Sequence, residues 1–513
     1  VDANTECIKQ LRELLYFMYK LEIKHTASQE RKLLDEFVCT DEGLPSDLPM
    51  DDVLRTASRV IDSIFWNFDF RDVFPKHGPG SVATGEKNWQ KHQFKRLYRA
   101  IDRVYPFDEY NCFSLGQVVD TYREFEKLES LESGTAKVVL VPKDSRGPRI
   151  ISCEPLEYQW IQQGLGNAFV RHLETNRWTR GHVNFTDQRV NQQLALKGSL
   201  TQQWSTLDMK EASDRVSIAL VEKLFSGQPG LLDALMATRS THTKLPDGRI
   251  VHMKKFAPMG SNLCFPVESI CFWALSVAAI MHDTNMAGSF PERGSRGPHF
   301  HEAYDRARRL VFVYGDDIIV AREFTQALLQ YLPKVGLLFN PKKCCTKGFF
   351  RESCGVDAFK GVIVTPLRMK KEWRRHIVDA SALSSWCDFS NHAYSRGYKR
   401  VAVLSARLLE SWTGPLPVVN RKQDCLAFVR PVSTPYAPIR YPRRFNKDLQ
   451  RVEYRAYVIR PTQKRVGSDS WSMILRVARL GLSEHAQPSG VTQAGIFAVP
   501  RRSRLKRGWT EIT

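Results

Sequence analysis

Apolar residues recur at three- and four-residue spacing in two stretches near the start of the chain. The first is Ile8, Leu11, Leu15, Met18 and Leu21; the second, after Pro49, is Val53, Leu54, Ala57, Ile61 and Ile64. That spacing lines one face of a helix, so a largely helical N-terminal region is expected. An apolar run from Leu263 to Met281 approaches the ~20 residues needed to cross a bilayer, but Pro266 and Glu268 inside it favour a buried core helix. Branched and aromatic residues of strand type fill Leu310 to Tyr314 and Ile318 to Val320, on either side of Gly315-Asp316-Asp317. Two such runs around a Gly-Asp pair predict a tight hairpin with its carboxylates at the tip. His77 to Gly85 reads as a turn-rich loop, and the Gly, Ser and Pro-rich stretch Asp283 to His299 as a surface insertion.

Placing Asp316 beside Asp317 costs free energy unless something positive neutralises them, and hard oxygen donors of this kind suit Mg²⁺. A lone Gly-Asp-Asp is as often a solvated turn. A second carboxylate segment, Ser205 to Ser217, alters that balance: Asp208 ends a short apolar strand and Asp214 falls in the turn or helix that follows. A two-metal phosphoryl-transfer site draws carboxylates from at least two segments, which Asp208 and Asp316 supply. Asp214 is either a helix N-cap or a group facing a nucleotide sugar. Upstream, Lys143, Arg146 and Arg149 recur every three residues around a Gly147-Pro148 turn and can converge on one polyanion, such as a triphosphate. Taken alone, the same cluster is a solvated basic loop.

Seven segments stand in one order between Val139 and Pro366: Val139 to Pro155, Asn184 to Gln192, Ser205 to Ser217, Met259 to Ser269, the Gly315-Asp316-Asp317 turn, Asn340 to Lys343 and Phe350 to Gly355. This order resembles the RNA-dependent RNA polymerases, and in detail the replicase subunit of the leviviruses, the single-stranded RNA bacteriophages. The resemblance implies an α+β right-hand polymerase, with an antiparallel palm sheet backed by helices. An N-terminal helical and fingers region would span 1–135, fingers with the triphosphate motif 136–204, the palm 205–365 and a basic thumb 366–513.

It further implies RNA synthesis on an RNA template during replication of a positive-strand phage genome. Asp208, Asp316 and Asp317 would hold two Mg²⁺ ions, for which Mn²⁺ could substitute, and Lys143, Arg146 and Arg149 would grip the incoming triphosphate. Lys342 or Lys343 would protonate the leaving pyrophosphate. Asp214 and Asn262 would read the ribose 2′-hydroxyl. This chain has Gly260-Ser261-Asn262 and Cys264 where levivirus replicases typically read Gly-Asn-Gly and a Thr, so either Asn262 keeps the role or Ser261 shares or replaces it. The partners implied are RNA template and product, nucleoside triphosphates, the host elongation factors Tu and Ts and, in some members, an OB-fold ribosomal protein, in the cytoplasm of a bacterial host and with neither membrane nor DNA. A reverse transcriptase shares the palm aspartates, and an RNA-binding protein on a polymerase scaffold shares the shape. Ribonucleotide preference separates the first, and intact Asp208, Asp316, Asp317, Lys143 and Arg149 argue against the second.

Composition agrees. The 513 residues exceed one ordinary domain, and 42% hydrophobic content suits a globular chain. Of the net charge of +20, residues 366–513 carry +18, from 28 Lys and Arg against 10 Asp and Glu. Clusters at Arg440 to Arg444, Lys464-Arg465 and Arg501 to Arg507 are interleaved with Tyr441, Tyr454, Trp471 and Trp509, a pattern suited to phosphates and unpaired bases, or to a solvated basic surface. Eleven Cys without repeating spacing point to reduced thiols, and neither a disulfide framework nor a zinc pattern surrounds Cys344, Cys345 and Cys354. No signal peptide opens the chain, and a start at Val1 is expected from trimming or an incomplete beginning.

Overall fold

The computed structural model describes all residues except 1–2, 89, 285–297, 374–379, 423–424, 431–441, 462–470, 472–473, 476–477, 479–502 and 512–513. Its centre is a four-stranded antiparallel sheet in the order Leu338–Phe339, Trp204–Lys210, Asp317–Ala321, Val311–Tyr314. Ser205 to Met209 and Ile318 to Ala321 are buried at every position rather than at alternate ones, as happens when both faces of a sheet are covered. Helix Cys264–Asp283 packs on Val311–Tyr314 and on helices Asp52–Phe65, Pro298–Arg308 and Thr325–Tyr331, while Arg189–Thr201 packs on the two central strands. The α+β class and the helix-backed antiparallel sheet are therefore as expected.

Helix Cys264–Asp283 is apolar all round because it is surrounded on all sides. It is long and apolar enough to cross a membrane by length and composition, yet 94% of its apolar window is buried inside the fold. Pro266 sits in the first turn, where a missing N–H forfeits no intrahelical bond. Helix Asp52–Phe65 starts where Asp51 accepts the Leu54 N–H at 2.7 Å, and it buries Leu54, Ala57, Ile61 and Ile64 completely.

The N-terminal helix behaves differently from its periodicity. Thr5–Tyr16, capped by Asn4, ends before Met18 and Leu21, and Leu11, Leu15 and Met18 remain exposed. Polar contacts fix it instead: Arg12 pairs with Asp357 at 2.5 Å, and Glu13 accepts from the Leu367 N–H and the Tyr398 hydroxyl. Phe17 meets Phe389 edge to face. This first helix thus attaches to the C-terminal part of the chain, not to the other N-terminal helices with which its sequence grouped it. That C-terminal part has an apolar cluster of its own, including Leu367, Trp386, Phe389, Ala402, Leu409 and Phe428.

Arg443–Asn446, Arg451–Pro461 and Ser503–Thr510 form a separate antiparallel sheet. Of the expected basic and aromatic surface, Arg440, Tyr441, Lys464, Arg465, Arg501 and Arg502 lie outside the described residues, as does 285–297 of the expected insertion. Pro298 and His299, assigned to that insertion by composition, open a helix. Arg444 stacks on Trp509 at 4.7 Å and pairs with Glu453 at 2.8 Å, and Trp471 stacks on Phe113, so part of this surface is spent within the fold. All eleven cysteines are free thiols.

Candidate active site

Strand pairing brings the two carboxylate segments together. Asp208 and Asp317 are direct register partners on adjacent antiparallel strands, which places their side chains on one face. Asp316 sits in the two-residue turn between Tyr314 and Asp317, after Gly315 at φ +61°. A positive φ at the first turn position alone is the pattern of a II′ turn, for which glycine is favoured. A Cβ on Gly315 would also come within 2.2 Å of the Phe265 ring.

The electrostatics are those of crowded negative charge. Asp316 is exposed at the hairpin tip, yet desolvation by the surrounding protein and then Asp208 push its carboxyl above the ordinary range. Asp317 is raised to about 7 by burial and then by Asp316, although its Oδ2 accepts the Cys354 N–H at 2.7 Å. Cys354 presents that N–H from a left-handed conformation at φ +48°. Asn191 and Gln192 brace the same corner by donating to the Asp317 and Cys354 carbonyls, which gives the Asn184 to Gln192 segment a supporting task.

Asp208 is nearly buried. Its Oδ1 accepts from Lys343 Nζ at 2.6 Å and its Oδ2 from Asn340 at 3.1 Å. Burial alone would lower Lys343, but its hydrogen bond to Asp208 and the charge of that carboxylate outweigh it and hold the ammonium above its ordinary value. Lys342 is exposed, so of the two candidate lysines only Lys343 meets the carboxylates.

The hairpin Thr135–Asp144 and Gly147–Cys153 brings two cations to this group, Lys143 acting on Asp316 and Arg146 on Asp208, with Arg149 beside Lys143. Its turn is Ser145-Arg146 rather than Gly147-Pro148, which open the return strand, because Asp144 pairs in register with Gly147. Arg146 chelates Asp144 at 2.7 and 3.2 Å and stacks on Tyr19 at 4.5 Å, so its fork is already engaged. Lys143 and Arg149 have no ion-pair partner among the described residues. Burial and then the neighbouring Arg149 lower Lys143, and its charge acts on Asp316.

The sugar-reading candidates are less concentrated. Asp214 lies inside the short helix Ala212–Arg215, not at its cap, and pairs with Lys255 at 2.9 Å. Asn262 turns its amide to helix Leu156–Thr175, donating to the Gln162 carbonyl at 3.1 Å, and Ser261 is buried in the loop behind it. That loop closes on the basic hairpin through the Ser152 N–H to the Met259 carbonyl at 2.8 Å. Gly260 at φ +122° permits the approach, since a Cβ there would meet the Ser152 carbonyl at 2.2 Å.

Two contributors were not singled out as site residues from the sequence. Glu268, enclosed in helix Cys264–Asp283, is raised well above its ordinary value by burial, then by Asp316 and Asp214. Its signals were a lone acid in an apolar helix and its place in the Met259 to Ser269 segment, neither of which gave it a role. Lys20 arrives with the segment after the first helix, where Ser145 donates to the Tyr19 carbonyl. Burial lowers it against the pull of Asp144, and Arg368, Arg146 and Lys343 add to the lowering. Nothing local marks it.

Among the described residues, no three His, Cys, Asp or Glu side chains form a metal cage. The donors fit Mg²⁺ as an open site instead: Asp208 and Asp316 repel each other and lie beside cations suited to phosphate, and Mg²⁺ commonly takes one or two carboxylates plus substrate oxygens and water. Asp317, held by Cys354, backs that pair. Because a divalent ion competes with protons here, its binding is expected to strengthen between pH 6 and 8. Asp317 is raised from its ordinary 3.8 to about 7, facing Asp316, Asp208 and the Cys354 N–H. Stability from its raised pKa is present at low pH and lost as pH rises through 7, and the ion offsets that loss. Calorimetry in two buffers of different ionisation enthalpy should show proton release at pH 6.5 and little at pH 8; equal release at both would refute the linkage.

The RNA replicase, beta-chain family model matches residues 117–289 and 303–383. Over those residues the chain is similar to that family. Among its replicase relatives, the RNA-directed RNA polymerase subunit beta of Escherichia virus Qbeta is 35% identical over 234 residues, 46% of this chain and 35% of that one. The RNA-directed RNA polymerase beta chain of Escherichia phage MS2 is 33% identical over 234 residues, 46% and 37% of the two chains. The aligned stretch thus spans little more than a third of these replicase subunits. The solved Sicinivirus 3Dpol RNA dependent RNA polymerase superposes at a TM-score of 0.43 and 12% identity, over 77% of this chain and 88% of that one, too loosely to support an argument. The replicase match contains the candidate site from Lys143 to Lys343, while Lys20 lies outside it.

Proposed function

We propose that this chain catalyses template-directed RNA synthesis from ribonucleoside triphosphates, as the polymerase subunit replicating a positive-strand RNA phage genome. The observation that carries this is the pairing of Asp208 with the Asp316-Asp317 hairpin, within reach of the charge of Lys143, which Arg149 neighbours. Lys143 and Arg149 bind the triphosphate and neutralise charge as it develops on the transferred phosphoryl group. Arg146, tied to Asp144 and Tyr19, stiffens the hairpin that carries them. Asp208 and Asp316 hold the divalent ions, and Lys343 is placed to give its proton to the departing pyrophosphate. Magnesium, when bound, neutralises carboxylates and phosphates together and makes the attacking 3′-hydroxyl more acidic. Asp214, with Ser261 or Asn262, faces the ribose.

In this reading residues 205–365 form the palm, 136–204 and much of 1–135 the fingers and 366–513 the thumb, with the first helix joining palm to thumb through Asp357, Leu367 and Tyr398. The enzyme works in the cytoplasm of its bacterial host with elongation factors Tu and Ts and an OB-fold ribosomal protein. The test is incorporation of labelled GTP on a C-rich RNA by the purified chain in bacterial extract, with and without Mg²⁺, beside 2′-deoxy-GTP. Metal-dependent ribonucleotide product is expected; preferential deoxyribonucleotide product would make the chain a reverse transcriptase. Retained RNA binding with no product, even after the elongation factors are added, would leave only a binding protein.

A further inference from the structure

Lys255 is completely enclosed, and a buried ammonium is costly unless it is paired and its donors are used. Its Nζ lies 2.9 Å from Asp214 Oδ1 and 3.8 Å from Asp41 Oδ1, and 3.5 Å from the centre of the Phe37 ring. Asp41 and Phe37 belong to helix Ala27–Glu42, more than 200 residues upstream of Lys255. Asp41 is itself buried and fixed, accepting the backbone N–H groups of Lys254 at 3.0 Å and Lys255 at 2.9 Å. A second contact runs in parallel, from the Thr40 hydroxyl to Glu211 at 3.3 Å.

Asp214 needs such an anchor. It sits on a single four-residue turn that begins at Glu211 in a left-handed conformation, and a single turn has little stiffness of its own. We infer that Lys255, held by Asp41, is the positioning residue that sets ribonucleotide selectivity through Asp214. The inference rests on the proposed role of Asp214 at the ribose. Lys255 occupies Oδ1 and fixes the plane of the carboxylate, which leaves Oδ2 to accept the sugar 2′-hydroxyl proton at a defined place. A group that must hydrogen-bond a substrate hydroxyl discriminates only if it is held where that hydroxyl arrives. Hydrogen bonds to a charged partner are worth a factor of roughly ten to a hundred.

The test compares GTP and 2′-deoxy-GTP in single-nucleotide addition on a C-templated primer, by full-length wild type, Asp214→Asn and Lys255→Met. The expected result is that Lys255→Met lowers the ratio of kcat/KM for GTP to that for 2′-deoxy-GTP by about tenfold, chiefly through a higher KM for GTP. A merely structural lysine would depress both nucleotides alike and leave the ratio unchanged, which overturns the inference when Asp214→Asn does change it. If Asp214→Asn leaves the ratio unchanged, the ribose role of Asp214 falls first and this inference with it. Should Lys255→Met not fold, Lys255→Gln, which keeps an N–H donor for Asp214 without the charge, carries the same comparison with a smaller expected fall.

Discussion

Asp316→Asn is expected to abolish Mg²⁺-dependent nucleotide addition while raising the melting temperature of the metal-free protein at pH 8. The two effects share one cause. Asp316 sits where burial and Asp208 both disfavour its charge, so at neutral pH the folded state bears a repulsion that the unfolded chain lacks. Asparagine keeps the shape and removes the charge. The sign follows from the raised pKa: the carboxyl contributes stability while protonated and loses that contribution as pH rises above the ordinary carboxylate range, so the advantage of the Asn variant should shrink on acidification. Catalysis runs the other way, because a missing carboxylate forfeits several kcal/mol of transition-state stabilisation, and about 4 kcal/mol is about a thousandfold in rate. Thermal melts at pH 5 and 8 beside single-turnover addition would check both halves. An active variant, or one less stable at pH 8, would contradict the reading of this carboxylate group as a charge-strained cation site.

That trade also bears on what a sequence reveals. The Asp-Asp hairpin was legible because its determinants are local: a glycine at the one position needing positive φ, flanked by strand-forming residues of which Val311, Val313 and Ile318 to Val320 end up buried. The helix from Cys264 was legible because an unbroken apolar run is unusual in any other setting. Failures came where the structure depends on distant partners. The apolar stripe Leu11, Leu15 and Met18 gave the right helix and the wrong reason for its place, since Arg12 and Glu13 fix it to residues some 350 positions away. In the same way, Gly147-Pro148 has the composition of a turn, but pairing of Asp144 with Gly147 moved the turn back to Ser145-Arg146. Asp208, Asp316 and Asp317 were identifiable by type and spacing, whereas the resemblance left Lys342 and Lys343 undivided until the fold set Lys343 on Asp208. Lys255, Asp41 and Lys20 were not, because an isolated lysine or aspartate says nothing until the fold shows what it touches.

Lys343 offers the second large effect, and it separates the pairing seen with Asp208 from the proton delivery proposed for the same side chain. Its Nζ neutralises Asp208 at 2.6 Å, and from the same place it can deliver a proton to pyrophosphate. Lys343→Arg keeps the positive charge and can still pair with Asp208, but a guanidinium does not give up its proton near neutral pH. The Arg variant is therefore expected to fold and bind GTP like the wild type while kcat falls by about a hundredfold, the lower end of what a positioned general acid contributes. Lys343→Met should lose as much rate and some stability as well, though not the full cost of breaking a buried pair. Its side chain is 38% exposed, and water screens what remains. Lys342→Met, altering an exposed residue, should leave kcat within about twofold, since its ammonium meets neither carboxylate. Rapid-quench single-turnover rates with GTP, in H₂O and D₂O, distinguish these outcomes. Loss of the solvent isotope effect in Lys343→Arg would mark a proton transfer removed from the rate-limiting step. A fully active Arg variant would instead mean that position 343 supplies only a charge, and the pyrophosphate would have to take its proton from solvent.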